Sequence, residues 1–164
     1  MIVLSAGVLG FHLARRLSRE NHDVVVIDRR EEYVRRAQES LDVAVIQGEG
    51  SKPSVLLDAG LERADMLVAV TASDETNIVA CLIAQTLNRD VVRIARLGDP
   101  AYLGEAGIID KAALDIQLVI SPEQDVARAV GLLAEVPGAS DVLEFVDGRV
   151  MVVGLRVDQG SPAD

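Results

Sequence analysis

Met1-Ile-Val-Leu-Ser-Ala-Gly-Val-Leu-Gly10, read together with Val24-Val-Val-Ile-Asp28, decides the fold. A short apolar run meets a glycine turn. An amphipathic stretch follows, and a second apolar run closes on an acid. A dinucleotide-binding unit is built in that order: strand, turn, helix, strand, carboxylate. The usual fingerprint is G-x-G-x-x-G; here Ser5 stands first, with Gly7 and Gly10 in place. The first glycine makes the tight turn, the second admits a pyrophosphate to the backbone, and the third lets helix and strand pack closely. Serine makes the turn without strain only if its φ is negative. Gly7 leaves the phosphate approach open, and the helix start beyond it offers unpaired N–H groups and the positive end of a dipole. Asp28 stands 18 residues past Gly10, where a carboxylate accepts hydrogen bonds from a ribose diol. It is equally placed to cap the helix that follows.

Outside these segments the strand and helix patterns continue to alternate. Strands are expected at Ile2–Leu4, Val24–Ile27, Val43–Ile46, Met66–Val70, Val91–Ala95 and Ile116–Ile120. Helices are expected at Val8–Arg19, Glu31–Leu41, Lys52–Ala59, Asp74–Leu87, from Asp99 to about Lys111, and at Pro122–Val136. Short, continuously apolar strands joined by helices predict an α/β fold: a Rossmann-like, doubly wound, six-stranded parallel sheet. Right-handed crossovers give the strand order 3-2-1-4-5-6, which puts a ligand crevice beyond the carboxyl ends of strands one and four.

After Pro137-Gly138 the pattern changes. Val142–Val146, the turn Asp147-Gly148 and Val150–Val157 read as a C-terminal β-hairpin extension. A lone hairpin is marginal in water. Residues 139–164 therefore read either as the start of a second module, cut short, or as an arm that packs on a partner. Residues 1–138 form the nucleotide-binding domain in this reading. The last helix is apolar on more than one side, which suits either an intermolecular contact or full burial.

Composition narrows the class. Apolar residues make up 49% of the 164 and aromatic ones 2%, so the core is built from Val, Leu, Ile and Ala. The net charge of −10 argues against nucleic acid as a partner, and requires that an anionic ligand be held by local donors. Cys81 stands alone, which excludes an internal disulfide and suits a reducing compartment; within Ile78-Val-Ala-Cys-Leu-Ile83 it reads as a buried small hydrophobe. His12 and His22 lack a second ligand at metal spacing, so no metal site is expected. The first apolar run is far short of a signal segment or a membrane span, and a soluble, cytoplasmic chain is expected.

Most expected strands end in small or polar residues: Ser5-Ala-Gly7, Asp28-Arg-Arg30, Gln47-Gly-Glu-Gly-Ser51 and Thr71-Ala-Ser-Asp74. Small residues there let a flat ring lie against the sheet edge. Arg96 after the fifth strand is suited to phosphate oxygens, or else to a surface ion pair with Asp99. Arg29 and Arg30 could read a ribose 2′-phosphate, but Asp28 opposes it by like charge, favouring NAD over NADP. The run Arg29–Arg36 reads mostly as a charged outer face.

The segments Gln47–Ser51, Ala69-Val-Thr-Ala-Ser-Asp-Glu-Thr-Asn77, Arg93-Ile-Ala-Arg96 and Ser121-Pro-Glu-Gln124 carry a resemblance. They are similar, in order, to the nucleotide-binding regulatory domains of bacterial potassium transport, the KTN or RCK family, and most of all to its TrkA-type members. The resemblance spans residues 1–138. It implies a cytoplasmic, non-enzymatic domain that binds NAD or NADH, or in some members ATP or ADP. It also implies a membrane potassium channel or transporter subunit as partner, and a homodimer or larger ring, held at the inner face of the membrane by that partner. Carried over by position, Ser5, Ala6, Gly7, Val8 and Leu9 would wrap the pyrophosphate. Asp28, with Arg29 beside it, would hold the adenosine ribose, and Glu49 and Gly50 would border the adenine. Thr71 and Ala72 would line the middle of the crevice, and Arg96 would meet phosphate. Some ATP-binding relatives carry a basic residue where Val8 stands, so Val8 favours a dinucleotide. Glu123 matches an acid that some relatives use near the dimer interface.

Two functions compete on the residues alone. One is a ligand-sensing regulatory module. The other is a small NAD-dependent oxidoreductase, which needs a general acid or base at the nicotinamide. Both histidines lie near the first helix, and no lysine or tyrosine constellation follows the fourth strand, so no catalytic residue is assigned. In this reading Asp28→Ala weakens binding and leaves stability nearly intact.

Overall fold

The six parallel strands run in the order β3-β2-β1-β4-β5-β6 in the computed structural model, which describes residues 1–102, 115–135, 138–145 and 150–155. The elements are β1 (Ile2–Leu4), α1 (Val8–Arg19), β2 (Val25–Asp28), α2 (Glu31–Ser40), β3 (Ala44–Gln47), α3 (Pro53–Asp58), β4 (Met66–Ala69), α4 (Asp74–Leu87), β5 (Val92–Arg96) and β6 (Leu118–Ile120). Then come α5 (Pro122–Glu135), β7 (Ala139–Phe145) and β8 (Val150–Leu155). The strand order is the one that right-handed crossovers impose. β2, β3 and β5 each reach one residue further than their apolar runs, because Asp28, Gln47 and Arg96 still pair along the ladder. Most of the helix expected between Asp99 and Lys111 lies outside the described residues. So do Val136, the Asp147-Gly148 turn and residues 156–157.

Strand alternation sorts the core into two layers. Ile2, Leu4, Ile27 and Leu67 point to one face, where they meet Leu56 of α3, Ala59 just after it, and Ala80, Cys81 and Ala84 of α4. Val3, Val26 and Val68 point to the other, against Ala14 of α1 and Ala37 of α2. With helices on both sides, the inner strands are apolar at nearly every position. The edge strand β3 is half-exposed instead.

Three polar arrangements, two of them centred on buried side chains, hold the frame. Asn77, fully buried on α4, accepts the Thr71 N–H at 3.0 Å and the Thr71 hydroxyl at 2.8 Å, and donates to the carbonyls of Thr71 and Arg96. It thereby ties together the ends of β4 and β5. The Asp74 carboxylate accepts the N–H groups of Gly98 and Asp99, which fixes the chain after β5. Arg93, 1% exposed, forms an ion pair with Asp115 and donates to the Asp115 carbonyl at 2.9 Å. That pairing seats the segment leading into β6.

Ser73 caps α4 by accepting the Thr76 N–H at 3.1 Å. Hydrogen bonds from its own backbone N–H and from the Ser73 hydroxyl hold the Glu75 carboxyl below its usual range.

Burial pushes the Cys81 thiol up to about 12. An unfolded thiol ionises near about 8.5, so the folded form keeps its proton over the interval between. The associated stability is complete below the unfolded value and falls as pH rises toward 12. Cys81→Ala is expected to remove that part of the alkaline loss, read as a flatter decline of the denaturation midpoint between pH 9 and pH 11. A decline as steep as that of wild type would mean that Cys81 contributes nothing to it.

The chain divides into two compact units, Met1–Ile120 and Ser121–Asp164. In the second, α5 precedes an antiparallel β7–β8 ribbon in which Val142 faces Val153. α5 exposes Val126, Val130 and Leu133, and β8 exposes Val150, Met151, Val152 and Leu155. Among the described residues no helix is long and apolar enough to cross a membrane.

Candidate functional site

A cleft of about 310 Å³ opens where the strand order reverses, at the carboxyl ends of β1, β2 and β4. Ser5, Asp28, Arg29, Glu49, Gly50, Thr71 and Ala72, all singled out from the sequence, line it. Ser73 and Thr76 line it too, from the first turn of α4 and the residue before it.

The turn after β1 is built differently from a three-glycine loop. Ser5 has φ +100°, a backbone state that costs an L-residue of its kind about 1–3 kcal/mol. The negative φ that would make serine harmless is therefore not adopted. Its hydroxyl accepts the Gly7 N–H at 3.1 Å, folding the side chain back over the turn. Gly10 packs against the Ser5 backbone, with no room for a Cβ. Ala6 is buried and donates its N–H to Asp28 Oδ2 at 2.8 Å.

Asp28 is 6% exposed and faces the cleft from the end of β2. Oδ1 accepts the Arg30 N–H at 2.9 Å, so the carboxylate braces the residue before α2 as well as the glycine turn, while the N-cap position of α2 is Arg30 and carries no side-chain cap. Oδ1 also accepts from Arg30 Nε at 3.4 Å, so it is Oδ2, with Ala6 as its one donor, that retains a lone-pair direction for a ligand hydroxyl. The expected helix cap is therefore replaced by a turn to Arg30, and the cleft-facing placement stands beside it. Another sequence expectation changes: Asp28→Ala leaves the buried Ala6 N–H without its acceptor. A loss of about 1–3 kcal/mol is expected, read as a lower ligand-free melting temperature. An unchanged transition would mean that this bond contributes nothing.

The remaining sequence candidates fall elsewhere. Val8, at 76% exposure, opens α1 on the surface, and Leu9 packs into the core layer under α1 rather than into the cleft. Arg96, half-buried at the end of β5, is outside the cleft lining, though its carbonyl is held by Asn77. Arg30, exposed within the charged run, is also part of the site. It lines the cleft beside Arg29, with Nε 3.4 Å from Asp28 Oδ1 and its guanidinium carbon 3.6 Å over the Tyr33 ring. The Arg30/Tyr33 spacing of three on a helix start was the available signal. Thr76 carried the same kind of signal, one turn into a helix that begins at the sheet edge.

The arrangement can take a flat, polar, anionic molecule. Small residues form its floor, a buried carboxylate stands at one end, and two guanidinium groups stand beside it.

Comparison with known proteins gives one answer. Residues 1–122 match the TrkA-N domain. The Trk system potassium uptake protein TrkA of Halomonas elongata is 43% identical over 162 residues, 99% of this chain and 35% of the relative. A TrkA homolog of Archaeoglobus fulgidus is 37% identical over 164 residues, 100% of this chain and 37% of the relative. The chain thus spans about a third of the length of these curated relatives. Among solved structures, the TrkA-N domain of the inner membrane protein ybaL from Escherichia coli superposes with a TM-score of 0.70 at 21% identity, over 82% of this chain and 94% of that one. The GsuK channel bound to NAD gives 0.70 at 20% identity, over 89% of this chain and 25% of that one. The fold is shared with these structures, and by sequence the chain belongs to the TrkA-N domain family.

Proposed function

We propose that the cleft at the ends of β1, β2 and β4 binds NAD or NADH, and that the chain is a sensing domain of a Trk-type potassium uptake regulator. The observation that carries this reading is the buried Asp28 carboxylate at the cleft wall, joined to the glycine turn through Ala6. Ser5, Ala6 and Gly7, with Val8 and Leu9 continuing the turn into α1, surround the pyrophosphate. Asp28 and Arg29 hold the adenosine ribose, Glu49 and Gly50 border the adenine, and Thr71 and Ala72 line the middle. Arg96, at the end of β5, meets phosphate. Residues 1–138 make up the nucleotide-binding domain, and 139–164 begin a further regulatory module.

In this proposal the protein is not an enzyme. Ligand binding changes the packing of a homodimer or ring, and a membrane channel or transporter subunit at the inner face of the cell membrane reads the change. A ligand shifts such an equilibrium only by its differential affinity for the two states. The exposed Val126, Val130 and Leu133 of α5 support a contact between copies. An adenine nucleotide without nicotinamide, ATP or ADP, is the second reading; it is favoured by a related fold solved as GsuK bound to ADP.

Calorimetric titration with NAD⁺, NADH, NADPH, ATP and ADP tests the proposal. Tight binding of NAD⁺ or NADH with weak ATP is expected. Preference for ATP or ADP would replace the ligand and keep the sensor. Saturable hydride transfer with small alcohols or acids would overturn the non-enzymatic reading.

A further inference from the structure

Ser5 alters the chemistry of the turn as well as its geometry. The Gly7 N–H is one of the donors such a turn offers to a phosphate, and here the Ser5 hydroxyl accepts it at 3.1 Å. A chain of net charge −10 supplies no favourable background field to offset that loss.

A cation stands beside the same atoms. Arg30 reaches from the end of β2 until Nη2 lies 3.6 Å from where a Cβ on Gly7 would stand. Its Nε is tethered to Asp28 at 3.4 Å, and its guanidinium plane rests on Tyr33 at 3.6 Å. The side chain is 46% exposed and lines the cleft. A guanidinium held by one edge and one face keeps its other edge for a bidentate anion contact.

We propose that Arg30 is a phosphate-binding cation of this cleft, supplying at the glycine turn the anion contact that the Ser5 hydroxyl takes from the Gly7 N–H. The inference rests on the nucleotide-binding reading above and assigns to it a residue outside the glycine fingerprint.

The test is a double-mutant cycle on the whole chain: wild type, Arg30→Gln, Ser5→Gly and the pair, each titrated with NADH, ADP and adenosine. Arg30→Gln is expected to weaken NADH and ADP by about tenfold or more, the range of a lost charge-assisted hydrogen bond. Adenosine, which has no phosphate, is expected to change by less than about twofold on the same scale. Ser5→Gly is expected to tighten NADH and ADP, and in that background Arg30→Gln costs less. Arg30→Lys, which keeps the charge and loses the fork, is expected to fall between wild type and Arg30→Gln. Equal losses for adenosine and ADP would make Arg30 a positioning residue for Asp28 and overturn the phosphate role. Strictly additive effects of the two substitutions would overturn the exchange between Ser5 and Arg30. Wild type that binds NADH while Arg30→Gln binds it equally well overturns this inference alone. Wild type that binds none of the three overturns the nucleotide reading and this inference with it.

Discussion

Gly10→Ala is expected to destabilise the protein by about 3 kcal/mol or more, the upper end of the overpacking range. The new Cβ would lie 2.8 Å from the Ser5 carbonyl carbon and closer still to the carbonyl oxygen. Both atoms belong to backbone. A flexible side chain could swing aside, but this carbonyl cannot, because Ser5 is already held at φ +100° and its N–H donates to Ile27 at 2.7 Å. Relief would require α1 to lift off the end of β1, at the centre of the sheet. Domains of this size are stable by only about 5–15 kcal/mol, so one methyl group removes a large share. The check is a denaturant titration, in which the midpoint falls sharply at unchanged slope. A midpoint equal to that of wild type would show that helix and turn do not meet as closely as described.

Asn77→Ala is expected to cost a similar amount, about 2–4 kcal/mol, by a different route. Nothing is overpacked; four groups lose their partner. The Thr71 N–H and hydroxyl lose an acceptor, and the carbonyls of Thr71 and Arg96 lose a donor. Asn77 is fully buried, so water does not replace those bonds without opening the structure. Asn77→Asp is the informative companion. It keeps the acceptor and turns the donor into a second acceptor, charged and aimed at two carbonyls. It is expected to be at least as damaging as alanine at pH 7 and to recover in part in acid, where a protonated carboxyl donates again. Asparagine and aspartate of equal stability across that pH range would mean that the amide donor is dispensable.

These two positions mark where sequence reasoning succeeded and where it stopped. Gly10 was legible because its spacing from Gly7 and Asp28 is a backbone requirement, and backbone requirements leave a residue-type signature. The strand order was legible for the same reason: chirality allows a βαβ unit one hand, so alternation alone fixes the sequence of neighbours. Strand ends were displaced by single residues at Asp28, Gln47 and Arg96, because ladder pairing does not depend on side-chain polarity.

Asn77 and Arg93 were quoted within sequence motifs, yet their structural roles went unread. A buried polar side chain is recognised by its partners, and those partners are brought near by tertiary structure. Asn77 meets the carbonyl of Arg96, 19 residues away, and Arg93 meets Asp115 22 residues on. The same limit applies at the cleft. Asp28 was read correctly as facing it, whereas its duty toward Ala6 depends on β1 and β2 lying side by side. Arg30 stays exposed within its charged run, and no spacing rule reports that Tyr33 and Asp28 hold its guanidinium beside the cleft.

The position of β1 also bears on how the protein is made. β1 leaves a ribosome before the other five strands of its sheet, and it is an interior strand of the finished sheet. Its residue Ile2 pairs with Val25 on one side and with Leu67 on the other. During synthesis the β2 side closes early, while the β4 side waits for about 65 further residues. Through that interval Ile2, Val3 and Leu4 present an open, apolar ladder edge, the kind that pairs with other chains. A nascent chain stalled before Met66 carries that edge with nothing to cover it. The length of time that edge stays open during synthesis thus follows from the distance between β1 and β4 along the chain.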